Sequence, residues 1–196
     1  MIPVQFDADT HTYRSAGRVL PSVTTILSPL QDWSRVDPVR LADAAHLGSC
    51  VHRMIELDVL RLLDVDALDA TLRPYFDAWR DFLRVTRFNP MLSEQPLASE
   101  RYSYAGTPDL YGTLGAAHLL LDIKTGAIPR TAPLQLAAYL QLGVENELFR
   151  RTAERRVLHM PGGEWRLSDP YTGSDDLHVF LAQRTVFNRF PPENRT

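Results

Sequence analysis

One tripeptide in this 196-residue chain carries unusual chemistry: Asp122-Ile123-Lys124. Lys124 is the chain's sole lysine, against 20 arginines. Arg and Lys serve about equally well on a solvated surface. A chain that otherwise uses Arg and keeps one Lys points to a task that needs a compact ammonium of tunable pKa. The plain alternative is a GC-biased genome with one leftover Lys. Chance gives roughly 0.08 Asp-x-Lys triplets in such a composition, so the position is informative, whereas about one Pro-Asp pair is expected at random. Asp122 and Lys124 share a face if the segment is a strand, because side chains alternate. Asp109 lies on the preceding segment. A hairpin through Gly112-Thr113-Leu114-Gly115 sets it beside Asp122. Two carboxylates and one ammonium then meet at a strand end, which is what metal-assisted phosphodiester hydrolysis requires. Carboxylates hold hard divalent cations through oxygen. The cations neutralise phosphate charge and acidify the attacking water, and the Lys positions or deprotonates that water or stabilises developing charge. The plain alternative for both acids is turn-forming and edge-strand Asp.

The elements that must position these residues are legible in outline. Val4 to Leu20 has hairpin character, with turns at Asp7-Ala8-Asp9-Thr10 and Ser15-Ala16-Gly17. Ser22 reads as the cap of a short helix that Pro29 ends. Asp37-Pro38 is a cap followed by Pro at the first helical position, and predicts a helix to about Leu63. Leu72, Phe76, Trp79 and Leu83 form the apolar stripe of a second helix, from about Ala67 to Thr86. After Asn89-Pro90 the pattern turns to strands over Met91–Ala98, Tyr102–Leu114 and His118–Ile123. A helix is expected over Leu134–Leu148, short strands at Val157–Met160 and Trp165–Leu167, and a last helix capped by Ser174 and ended by Pro191-Pro192. The whole is a single α/β or α+β domain spanning 1–196.

Composition bounds the function classes. Hydrophobic residues are 44% and charged residues 23% of the chain, ordinary for a globular protein. The net charge of −3 argues mildly against a passive nucleic-acid coat. Cys50 stands alone, so neither a disulfide framework nor a four-cysteine zinc or iron–sulfur site fits within the chain. No apolar run reaches the roughly 20 residues of a membrane span, and the N-terminal residues lack a signal-peptide core. A reducing, cytoplasmic setting, in a bacterium or an infected host, is the expectation.

Several motifs together carry a resemblance. Gly106-Thr107-Pro108-Asp109, Asp122-Ile123-Lys124-Thr125-Gly126 and Gln135-Leu136-Ala137-Ala138-Tyr139 resemble the PD-(D/E)xK nuclease superfamily. Within it they are similar to the RecB-type exonuclease branch, which includes phage recombination exonucleases and the mitochondrial genome maintenance exonuclease. Gly48-Ser49-Cys50-Val51-His52 resembles that branch's Gly-x-x-Val-His helix, and Leu20 to Leu27 an N-terminal segment of its phage members. The resemblance covers about residues 20–140. It implies a restriction-endonuclease-like mixed central sheet flanked by helices, with a helical N-terminal half (about 37–87) roofing a catalytic sheet and helix (about 90–160). It implies Asp109, Asp122, the Ile123 carbonyl and His52 as ligands of one or two Mg²⁺ or Mn²⁺ ions. Lys124 becomes the catalytic lysine, with Gln135 and Tyr139 sharing one helix face at i and i+4. The activity implied is a DNA exonuclease of recombination or repair. Its substrate would carry a single-stranded portion or free end, and its partner would be a single-strand annealing or binding protein. Helicase motifs are absent, so a stand-alone nuclease module is expected. A nicking or structure-specific endonuclease and a non-catalytic binding or inhibitory protein are the rivals.

Without that resemblance His52 is a lone histidine on an apolar-sided helix, most simply a hydrogen-bonded structural residue. Glu56, one turn on, is a candidate further carboxylate or a partner of Arg53 or His52. Glu94 is a candidate acidic ligand or a solvated strand residue. Arg73, Arg80, Arg84 and Arg87 fall on one helical stripe. They read either as a phosphate track or as a solvated face paired with Asp77 and Asp81. Tyr75 and Phe88 fit base stacking or core. Arg150, Arg151, Arg155 and Arg156 read as a helix C-terminal dipole partner, with DNA contact the alternative.

Overall fold

A computed structural model describes residues 1–8, 10–32 and 34–190. It begins with a three-stranded antiparallel ribbon, β1 (Gln5–Asp7), β2 (Thr12–Ser15) and β3 (Arg18–Leu20). Ser22 caps helix α1 (Val23–Leu27), its Oγ accepting from the Thr25 amide at 3.0 Å. Helix α2 (Pro38–Val59) starts where the sequence predicts. Asp37 Oδ1 accepts from the amides of Val39 and Arg40, each at 3.0 Å, and Pro38 has no amide to leave unpaired. The helix ends before Leu63, because Arg61 turns into the left-handed region at φ 59°.

The second helix, α3 (Arg73–Thr86), is also shorter than expected. Asp64 and Asp69 divert residues 64–71 into local turns, their carboxylates accepting from the amides of Asp66, Ala67 and Thr71. Next come β4 (Asn89–Ser93), β5 (Leu97–Ser99), β6 (Tyr104–Gly106), β7 (Leu110–Leu114) and β8 (Ala117–Lys124). Two strands expected to be continuous, Met91–Ala98 and Tyr102–Leu114, are therefore each broken. Pro96 and Pro108 sit at the breaks, where an amide-less residue cannot extend a ladder. Helix α4 (Ala132–Glu145), β9 (Glu154–His159), β10 (Arg166–Leu167) and α5 (Asp176–Arg189) complete the chain. Asp175 rather than Ser174 takes the cap position of α5. The expected stop at Pro191-Pro192, like Asp9 of the first turn, lies outside the described residues.

The architecture is mixed α+β, with five α-helices among the described residues. A five-stranded sheet runs β10-β9-β8-β7-β4, parallel between β8 and β9 and antiparallel elsewhere. β8 is buried on both sides from Leu119 to Ile123, and its alternation feeds two cores. Leu119, Leu121 and Ile123 pack with Val51, Met54 and Ile55 of α2 and Trp79 and Phe82 of α3. Leu120 packs with Leu136, Tyr139 and Leu142 of α4, and with Phe180 and Phe187 of α5. Asp122 and Lys124 fall on the α4 side by the same alternation. Tyr75 and Phe88 are core, 8% and 4% exposed, which removes them as base-stacking candidates.

Helix α4 is seated by a very close approach at a glycine. A Cβ on Gly143 would lie 1.8 Å from the Phe149 ring. Gly143→Ala should therefore cost about 1–3 kcal/mol through overpacking, a fall in melting temperature of about 2–4 °C per kcal/mol. Gly126→Ala, where nothing lies within 4 Å of the added Cβ, should melt within a degree or two of the parent. Equal melting of the two variants would show that α4 is not held by this contact.

Candidate metal centre and its cleft

Asp109 sits one residue before β7, after the Thr107-Pro108 break. The β7–β8 register places Leu110 opposite Leu121, and one step further sets Asp109 opposite Asp122. Asp109 Oδ2 accepts from the Ile123 amide at 2.6 Å, which pins the carboxylate to the end of β8. Lys124 Nζ lies 2.7 Å from Asp122 Oδ2 on the shared strand face. Asp122 is 1% exposed, and neither of its oxygens meets hydrogen-bond geometry with a described group.

His52 arrives from the opposite layer on α2. Its Nδ1 is 2.9 Å from Glu94 Oε1 and 3.7 Å from Asp109 Oδ1, and its Nε2 is 3.1 Å from the Ile123 carbonyl oxygen. Carboxylate and carbonyl oxygens both accept only, so both ring nitrogens donate and the ring is an imidazolium. Glu94 follows β4 in a left-handed conformation at φ 47°, and its amide donates to the Asp109 carbonyl at 3.0 Å. A non-glycine residue held there stores strain, a frequent mark of a site. His52, Glu94 and Asp109 offer ligand atoms within 4.8 Å of one another and form a group able to hold a metal ion. Asp122 lies beside this group and faces Lys124. With Lys124 at Oδ2, the buried Asp122 Oδ1 adds unmet acceptor capacity, which suits a cation.

The electrostatics fit that reading. Burial pushes Asp122 up to about 6, the Lys124 charge only partly offsetting it and Asp109 adding to it. Burial likewise raises Asp109 against the lowering by His52 and Lys124. For His52, burial disfavours the charge, but Asp109 and Glu94 outweigh it and push the ring up to about 9. Lys124 is raised too: burial opposes its charge, and Asp122 and Asp109 overcome the opposition. It stays an ammonium. Tyr139 is held neutral by burial and by the charges of Asp109 and Asp122.

His52, Glu94, Asp109, Lys124 and Tyr139 line a cleft of about 1150 Å³, with Asp122 buried behind Lys124. α2 contributes one wall, through Gly48, His52, Arg53 and Glu56. Gln135 and Tyr139 form part of another, with Gln135 Nε2 3.4 Å from the Tyr139 hydroxyl. A Cβ on Gly106 would come within 2.7 Å of the Tyr139 ring, so the Gly of Gly-Thr-Pro-Asp makes room for this tyrosine. Glu56 lines the cleft but is ion-paired with Arg53 at 2.6 Å, outside the metal-fit group.

The arginine stripe does not reach the cleft. Arg73 donates to the Val65 carbonyl, Arg80 pairs with Asp58 at 3.2 Å, Arg84 pairs with Asp81, and Arg87 is the left-handed cap of α3. None of them lines the cavity, so the expected two-helix roof narrows to α2, with α3 behind it against the sheet. The later arginines do not follow a helix end. α4 stops at Glu145, and Arg155 and Arg156 lie on β9. Arg155 is tied to Asp176 at 2.8 Å and to the carbonyls of Pro133, Tyr171 and Gly173. Arg156 holds Glu154.

Sequence reasoning missed the other wall. Phe6, Ala8, His11 and Tyr13 of the first hairpin line the same cleft, and the Tyr13 hydroxyl bonds Thr107 Oγ1 at 2.8 Å. The three rings Phe6, His11 and Tyr13 within one short hairpin were the available signal. No protein-family model and no curated protein matches the chain. Among the described residues, no helix is long and apolar enough to cross a membrane.

A pH dependence follows. His52 binds its proton more tightly folded than unfolded, so its stabilisation is full below pH 6.5 and lost as pH rises through about 9. Asp122, raised from 3.8 to about 6, likewise loses stabilisation as pH rises between those values. Metal-free protein should melt lower at pH 9 than at pH 6, and His52→Gln should flatten that difference. An unchanged difference in His52→Gln would mean that the imidazolium does not hold this cluster together.

Proposed function

We propose that this chain is a Mg²⁺- or Mn²⁺-dependent deoxyribonuclease of the PD-(D/E)xK type, acting as an exonuclease in phage or bacterial recombination or repair. One observation carries the reading. The metal-fit group of His52, Glu94 and Asp109 lies beside the buried Asp122–Lys124 pair, in a cleft large enough for a nucleic-acid strand.

Glu94, Asp109 and Asp122 would hold one or two cations, with the Ile123 carbonyl and a ring nitrogen of His52 beside them. A cation bound there supplies neutralising charge to a phosphate and acidity to a water. Lys124 remains an ammonium fixed by Asp122. Its role is to orient the attacking water and to stabilise developing negative charge, rather than to remove a proton. His52 must release a proton to offer a ring nitrogen, which couples its tautomer to loading of the site. Gln135 and Tyr139 present an amide and a neutral phenol from α4, donors suited to a phosphate oxygen. Asp109, pinned by the Ile123 amide, needs no rearrangement to act.

The exonuclease reading rests on a cleft walled by α2 on one side and the first hairpin on another, an arrangement suited to receiving a strand end. DNA with a single-stranded portion or free end is the substrate proposed, with a single-strand annealing or binding protein as partner.

Linear and covalently closed circular DNA, each single- and double-stranded, incubated with Mg²⁺ or EDTA should resolve this. Linear DNA should be degraded only with Mg²⁺, and circles should survive. Equal cutting of circles would make the protein an endonuclease, and no cutting of any form would overturn the enzyme reading in favour of a binding protein. Lys124→Ala, Lys124→Arg and Asp122→Asn should each lose about 100-fold or more in cleavage while melting as folded proteins. The arginine is included because a guanidinium does not fit the ammonium's place. Mg²⁺ should raise the parent's melting temperature and not that of Asp109→Asn, since the ligand binds only the folded site.

A further inference from the structure

We propose that the hairpin wall of the cleft is a stacking platform for an unpaired nucleobase, with Phe6 as the ring the base meets. The inference rests on the nuclease reading above and names the part of the substrate that the wall would hold. Phe6 lies on Tyr13 with ring centroids 4.6 Å apart and planes at 29°. His11 meets both edge-on, at 5.2 Å and 88° from Phe6 and 5.8 Å and 87° from Tyr13. Three rings thus share one corner of the cavity that also holds His52, Asp109 and Lys124.

The layering has a direction. Tyr13 is 2% exposed and anchored through its hydroxyl to Thr107, two residues before Asp109. Phe6 is half-buried above it, and His11 is exposed at the tip. His11 holds a left-handed backbone at φ 50°, which histidine adopts more readily than most non-glycine residues. Tyr13, Leu20, Ala98 and Ala105 form the core under the ribbon, with Ile2, Val4 and Phe6 packed against it, and of these three only Phe6 also lines the cleft. A Phe–His pair left at the cleft face offers π-surface to any base regardless of sequence. Duplex DNA keeps its bases stacked inside, so the wall selects a single-stranded segment. The Tyr13–Thr107 bond ties the platform to the segment carrying Asp109, so a base stacked there sets the adjoining phosphate at a fixed offset from the metal-fit group.

The test uses the cleavage-deficient Lys124→Ala background in Mg²⁺. The probes are single-stranded oligothymidylates carrying one 2-aminopurine at successive positions from either end. At one position the fluorophore should be quenched several-fold on binding. Adding Phe6→Ala or Phe6→Leu should abolish that quench and weaken binding about 10-fold or more, while Phe6→Trp should keep it. Phe6→Leu retains apolar packing on Tyr13, and an unchanged Mg²⁺-induced rise in melting temperature certifies the fold of each variant. A quench that survives in Phe6→Leu, or tight binding with no quench at any position, would overturn the platform while leaving the nuclease reading in place. A background protein that binds none of the oligonucleotides, alongside a parent that cuts no DNA, would overturn both.

Discussion

Two carboxylates buried at one end of the central sheet constrain the rest of the molecule. Asp109 is 6% exposed and Asp122 1%. Charges so placed are costly unless paired or ligated. The protein answers with two cations from two different layers. Lys124 comes from the same strand as Asp122, and His52 crosses from α2 to bridge Glu94 and the Ile123 carbonyl. The Ile123 amide completes the arrangement for Asp109. Asp122 has the Lys124 ammonium at Oδ2 and leaves Oδ1 without a partner among the described residues. That leaves a buried acceptor that a further positive charge would satisfy.

The layers on either side of the sheet exist to hold this end open and rigid at once. β8 is buried on both faces, so its C-terminal residues inherit the stiffness of two cores. α2 is capped by Asp37 and packed through Val51, Met54 and Ile55, which fixes His52 between them. α4 is packed through Gly143 against Phe149, which sets Gln135 and Tyr139 at the cleft. Glu94 and His11, where backbone meets the cavity, are two of seven described non-glycine residues at positive φ. Such positions persist only when their surroundings over-determine them. Here the Glu94 amide is bonded to Asp109, and the His11 ring packs against Phe6 and Tyr13.

The arginines show how composition misleads about placement. A stripe at helical spacing looks like a surface for phosphate. In the folded chain Arg80 is drawn to Asp58 of the preceding helix, a pair 22 residues apart, and Arg84 to its own neighbour Asp81. Asp81 in turn accepts from the Trp165 indole at 2.8 Å. The charges on α3 therefore brace it to α2 and to the segment before β10, and the cleft draws its cations from Lys124, His52 and Arg53 instead.

The sequence alone determined what depends on local geometry. Asp122 and Lys124 share a face because strand side chains alternate, and a short turn between β7 and β8 sets Asp109 opposite Asp122. Ser22 and Asp37 cap helices because their side chains reach amides two or three residues away, and Gln135 and Tyr139 share a face because helices repeat every 3.6 residues. Tertiary structure decided what depends on chain segments far apart. Glu94 joins His52 across 42 residues and Tyr13 reaches Thr107 across 94. Neither separation carries a periodic signal. Glu94 could be named as a candidate but not distinguished from a solvated acid, and the aromatic wall went unread. Where α3 begins, and where two long strands break, was decided by Asp side chains and prolines competing with regular structure. That competition is settled only by what each segment can bury once the sheet has formed.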